Sequence, residues 1–128
     1  MKQLRTFILL LAVLTSFTHA KAQVNMLDKA INKATDSYLG IKNALAANDG
    51  VAAENNAKEF LTVLNSVPVN SMTADQSKVW KKYIDRLQFD GRHISEVPRV
   101  EHQKEHFASL TKNWRAVLDG FKMNKPGV

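Results

Sequence analysis

His102-Gln103-Lys104-Glu105-His106 spells H-x-x-E-H. This is the inverted order of a zinc-peptidase motif, in which two imidazoles one helical turn apart hold the ion and the glutamate activates water. A spacing of four residues sets both imidazoles on one side of a helix. A peptidase needs a third ligand and a cleft for its substrate as well, and a short helical chain leaves little room for one. The residues therefore point to metal capture, with no catalytic group assigned and no enzymatic activity expected. Asp90 and His93 lie just upstream and extend the set to three imidazoles and a carboxylate, His93, His102, His106 and Asp90. Such donors suit a divalent ion, zinc, copper(II) or nickel. The competing reading is that these histidines cap carbonyls, pair with Glu96 or Glu105, or lie solvated at a loop.

Whether the four residues meet depends on the elements that carry them. Val100, Gln103, Phe107, Leu110, Trp114, Val117 and Phe121 recur at alternating steps of three and four, the stripe of an amphipathic helix. At about 100° per residue, Glu101, Lys112, Arg115 and Asp119 fall opposite that stripe. His102 and His106 lie between, with Ser109 and Asn113, on an uncharged polar flank. The preceding helix opens with Thr73-Ala74-Asp75-Gln76, a capping box. Its stripe is Val79, Trp80, Tyr83, Ile84, Leu87 and Ile94, with Gly91 on the same face for close helix contact and Asp90 and His93 on the border. Ser95 to Arg99, containing Pro98, turns the chain. Antiparallel packing through so short a turn brings Asp90 and His93 to the end where His102 and His106 begin.

Two further stripes precede these. Leu27, Ile31, Ala34, Tyr38, Ile41 and Leu45 form the first, closed at Asn48-Asp49-Gly50, where Asn and Gly tolerate the left-handed conformation that ends a helix. Ala53, Ala57, Phe60, Leu61 and Leu64 form the second, with Asp49 as its cap and Ser66-Val67-Pro68 as its stop. No segment alternates with period two over strand length. The expected fold is all-α, an up-down-up-down four-helix bundle, because short connections force antiparallel neighbours.

Composition supports that domain and narrows its setting. At 128 residues, 45% hydrophobic and without Cys, the chain suits one globular domain and excludes thiolate metal sites, disulfides and cysteine nucleophiles. Its formal charge of +6 suggests nucleic acid until the cations are located. Met1-Lys2-Gln3-Leu4-Arg5 leads into the apolar run Thr6 to Phe17, then Ala20 and Ala22 at the spacing of a cleavage site. These are the three parts of a secretory signal peptide. The expected organisation is a cleaved signal peptide over 1–22, a bundle over 23–121 and a flexible tail over 122–128, in a periplasmic or secreted protein. Removing Lys2, Arg5 and Lys21 from the 18 Lys and Arg leaves 15 against 12 acidic residues, an ordinary balance. Lys81, Lys82, Arg86 and Arg92 are interspersed with Asp85 and Asp90 and make no single-sign stripe, so nucleic-acid binding is not expected, and the run Thr6 to Phe17 is too short to span a bilayer, so no membrane insertion of the mature chain is expected. Met26, Met72 and Met123 sit at element ends and form no methionine cluster.

Three stretches resemble a known family when taken together: YLGIKNALAANDG at Tyr38 to Gly50, VWKKYIDRL at Val79 to Leu87, and HISEVPRVEHQKEHFASLTKNW at His93 to Trp114. They are similar to the bacterial periplasmic domain of unknown function number 3347, over roughly Ser37 to Phe121. The run Gln103, Lys104, Phe107 after the His-Ile turn is the most specific part. Such domains occur free or attached to adaptor subunits of heavy-metal (copper and silver) efflux pumps. The resemblance implies a secreted helical domain linked to metal handling, with an efflux component or another periplasmic protein as partner, and implies no enzymatic activity. Many members continue into a Cys-Pro-Met segment that looks like a soft-metal site. This sequence has no Cys, so that site is not carried over, and any copper or zinc role rests on the helical part. The alternative is a structural or protein-interaction bundle with no metal ligand.

Overall fold

The computed structural model describes Ala22, residues 26–123 and residues 125–128. The expected signal peptide lies, Ala22 apart, outside them. Four helices make up the fold: α1 over 26–46, α2 over Gly50–Ser66, α3 over Ala74–Glu96 and α4 over Val100–Gly120, with a short 3-10 turn at Val69–Ser71 between α2 and α3. There is no strand among the described residues. The all-α four-helix bundle expected from the periodicity is the architecture observed.

Local chemistry places the helix ends. Asn48 adopts φ 59 after α1. The N–H of Asn48 returns to Leu45 O at 3.2 Å and that of Asp49 to Ala44 O at 2.9 Å, closing the last turn on its orphan carbonyls. Asn48 therefore takes the left-handed position, and Gly50 serves a different purpose as the first residue of α2. A Cβ at Gly50 would stand 2.1 Å from Pro98 O, so two loops meet there closer than any side chain permits. Asp49 accepts from the Ala52 N–H at 2.9 Å and caps α2. At α3 the capping box is complete: Gln76 N–H donates to Thr73 Oγ1 at 3.2 Å, and Thr73 N–H donates to Gln76 Oε1 at 2.9 Å.

Packing follows the four stripes. Leu27, Ile31, Ala34, Tyr38, Ile41 and Leu45 of α1 are all buried, as are Ala53, Ala57, Phe60 and Leu64 of α2. In α3 the deepest positions are Trp80, Leu87 and Ile94; in α4 they are Leu110, Trp114 and Val117. The rings of Trp114 and Phe60 meet nearly perpendicular across the bundle, centroids 5.4 Å apart. Tyr38 stacks on Phe107 at 5.1 Å and shares a 3.0 Å hydrogen bond with Thr111, which sets α1 against α4. Gly91 does permit close contact, since a Cβ there would lie 2.9 Å from Leu61 Cδ2. Beyond α4 the residues read as a tail lie against α1: Lys42 Nζ donates to Gly127 O at 2.5 Å, Lys125 Nζ donates to Asn32 Oδ1, and Val128 packs on the core. No described helix is long and apolar enough to cross a membrane.

Candidate metal centre

The loop Val97–Arg99 folds α4 back along α3, so the last turns of α3 face the first turns of α4. Gln103 fastens this end. It is fully buried, and its amide donates to Ile94 O at 3.0 Å and to Gly50 O at 2.9 Å, tying the α3 terminus and the start of α2 to α4. Buried carbonyls left without a donor would cost about 1–3 kcal/mol each, so one side chain satisfying two of them is a strong constraint on the register.

On the flank that this register sets, His93, His102 and His106 come together. One ligand atom from each lies within 4.8 Å of the other two, and all three residues are half-buried. His93 and His106 stack nearly parallel, centroids 4.3 Å apart and planes 13° apart. His102 meets His106 edge-on at 4.7 Å and His93 at 5.9 Å. Nitrogen donors around a tetrahedral ion at about 2.0–2.1 Å stand roughly 3.3–3.5 Å from one another. To enclose an ion the imidazoles would have to close by on the order of 1 Å, and the stacked rings of His93 and His106 would also have to turn, because an imidazole lone pair lies in its ring plane.

Asp90 has a different position from the three imidazoles. Asp90 is 3% exposed, and its Oδ1 lies 3.0 Å from His106 Nδ1. A carboxylate oxygen accepts, so Nδ1 of His106 carries the proton and donates. In the neutral imidazole that tautomer has its lone pair on Nε2. A carboxylate that grips the far nitrogen of a ligating imidazole fixes its tautomer and ring orientation and raises its basicity. Of the four residues singled out in the sequence, the three imidazoles come together, and Asp90 hydrogen-bonds one of them.

Phe89 borders the imidazoles, offers no ligand atom, and was not singled out. It is 49% exposed and lies beside His93 at 4.4 Å and His106 at 5.7 Å. Nine residues from Trp80 at about 100° each place it opposite the core stripe of α3, and an aromatic off the stripe is the signal that could have found it. Elsewhere, a cleft of about 330 Å³ is lined by Arg115, Leu118, Asp119, Lys122, Met123, Lys125 and Val128. It opens at the other end of α4, roughly 15–20 Å along the helix from the imidazoles at about 1.5 Å per residue. It has no part in the histidine site.

No curated protein and no solved structure matches the chain. The family described as "Protein of unknown function (DUF3347)" matches residues 34–126, which include three of the helices in full and most of the fourth, together with His93, His102, His106 and Asp90. By a match over most of its length, the chain belongs to that family.

Proposed function

We propose that this protein is an exported, non-enzymatic helical module that captures a divalent metal ion, zinc or copper(II), through His93, His102 and His106. One observation carries the reading: three imidazoles from two helices converge within 4.8 Å. The buried Asp90 carboxylate behind His106 supports it. A buried carboxylate needs a partner in any fold, and here the partner is an imidazole, which would gain basicity and a fixed tautomer for binding an ion. Nitrogen-only donors favour zinc, copper and nickel over magnesium or calcium, which prefer oxygen. The signal-like pattern over 1–22 supports export, and the resemblance to domains attached to efflux adaptors supports a place in heavy-metal homeostasis through contact with a partner.

The test is a calorimetric titration of tag-free protein with Zn²⁺ and Cu²⁺ at pH 7.5, repeated on His102→Ala, His106→Ala and the double variant. One saturable site in the wild type, lost in the double variant, is the expected result. Equal binding by the double variant, or no saturable binding at micromolar metal, removes the metal reading and leaves an interaction bundle without a ligand.

A further inference from the structure

Resting on that reading, we propose that the captured ion keeps one coordination position open to an external imidazole, a histidine of an acceptor protein, and leaves by exchange onto that donor. Three features of the site converge on this. Among the described residues the cluster offers three donors, His93, His102 and His106, while zinc takes four in tetrahedral sites. Asp90 does not join the donor group, and its Oδ1 is already bonded to His106 Nδ1 at 3.0 Å. Structural metal sites fill every position with protein ligands, whereas sites with three protein ligands present the ion to something else.

The second feature is access. All three imidazoles are half-buried on an outer flank of the α3–α4 pair, so an ion between them stays within reach of a donor from solution. The apolar core runs through Leu87, Leu110, Trp114 and Val117 without using these residues, so loading and unloading need not unfold the bundle.

The third feature is Phe89, which names the donor class. Its ring offers no ligand atom, is 49% exposed, and sits against His93 with centroids 4.4 Å apart. One aromatic heterocycle already packs on it, and the exposed part of the ring is available to a second from solution. Offset or edge-on aromatic contacts of this kind strengthen binding by about two- to tenfold. An incoming imidazole gains that contact, and an aliphatic amine does not.

The experiment uses the full-length exported protein loaded with one equivalent of Cu²⁺ and free imidazole as the probe. Electron paramagnetic resonance followed through an imidazole titration should show a saturable change to a new copper spectrum while copper stays with the protein on gel filtration. Transfer of copper to an excess of a histidine-containing chelating peptide should accelerate in proportion to peptide concentration. Phe89→Leu should keep one copper site and weaken imidazole binding about two- to tenfold, with methylamine as the non-aromatic control unaffected by the substitution. An unchanged spectrum, imidazole that strips the ion without a ternary species, or a transfer rate independent of peptide concentration would overturn the open-position proposal with metal capture intact. Failure of the wild type to take up Cu²⁺ at all would overturn both.

Discussion

The two ends of the α3–α4 contact are built from the same helical spacing and filled with opposite chemistry. Toward the start of α3, Trp80 meets Phe121 with centroids 6.4 Å apart, and the methyl groups of Val79 lie so close to Gly120 that a Cβ there would stand 2.7 Å away. There the two helices meet through hydrocarbon. Toward the α3–α4 loop the helices bury Asp90 and Gln103 and stack His93 on His106. Burying polar groups costs free energy unless each finds a partner. Asp90 and the Gln103 amide have theirs, yet Gln103 Oε1 has none among the described residues. Hydrocarbon would close this end more cheaply. Stability and chemistry are thus segregated along one helix pair, with the apolar end holding the hairpin and the polar end holding the site.

Removing the large ring from the apolar end is the strongest way to break this division. Trp80→Ala deletes a side chain that is 5% exposed and should cost about 3–5 kcal/mol, read as a lowered urea midpoint. Against a total of about 5–15 kcal/mol for a domain of this kind, that is a large loss. Below the transition the variant should still bind one divalent ion. A variant of unchanged midpoint, or one that stays folded but loses the ion, would contradict the segregation.

A smaller effect is expected at the polar end from Gly50→Ala. The added Cβ would meet the Pro98 carbonyl oxygen at 2.1 Å, and that backbone atom can move only with the loop. A destabilisation of about 1–3 kcal/mol by urea titration is expected, as for overpacked sites. A displaced loop also shifts Gln103, so ion affinity should weaken in parallel. Stability and affinity that changed independently would show that the α1–α2 turn and the histidine site are uncoupled.

The sequence carries different parts of this arrangement with different clarity. Helical stripes are legible because burial repeats every three or four residues, and the Thr73–Gln76 capping box because it is a local pattern. Asn48 and Gly50 were harder to separate, since both tolerate a left-handed backbone; only the approach of Pro98 reveals why a glycine is needed at position 50. The three imidazoles could be gathered from spacing and a short loop. The role of Asp90 could not, because its carboxylate turns inward to a residue 16 positions away, and that depends on how α3 is rotated against α4. Phe89 escaped because a lone aromatic off the stripe has no local partner in sequence to explain it.

Asp90→Asn sharpens the comparison at the site itself. The amide keeps the size of the carboxylate and can still accept from His106 Nδ1, but without its charge. Loss of such a supporting group lowers metal affinity by about 10–100-fold. Calorimetry with Zn²⁺ should show that loss while stoichiometry stays at one ion. Acidification should act in the same direction on the wild type: imidazoles must be neutral to coordinate, so protons compete with the ion, and affinity should fall between about pH 7.5 and pH 5. Affinity that held constant over that interval would point to oxygen ligands in place of the imidazoles.

The smallest effect should come from His102→Ala in the metal-free protein. His102 is half-buried on the polar flank and touches the other two imidazoles edge-on, outside the apolar core. Substitutions at such positions stay within about 0.5 kcal/mol, so the urea midpoint without metal should scarcely move. With Zn²⁺ the two proteins should part. An ion that binds only the native state adds about 2.7 kcal/mol at 100 times its dissociation constant, and about 4–8 °C of melting temperature per kcal/mol for a domain of roughly 100 residues. Wild type should show that rise, and His102→Ala, with two imidazoles left, should show most of it gone. Equal thermal shifts in the two proteins would place the ion elsewhere, and a large loss of metal-free stability would mean that His102 serves the fold, erasing the division between the two ends.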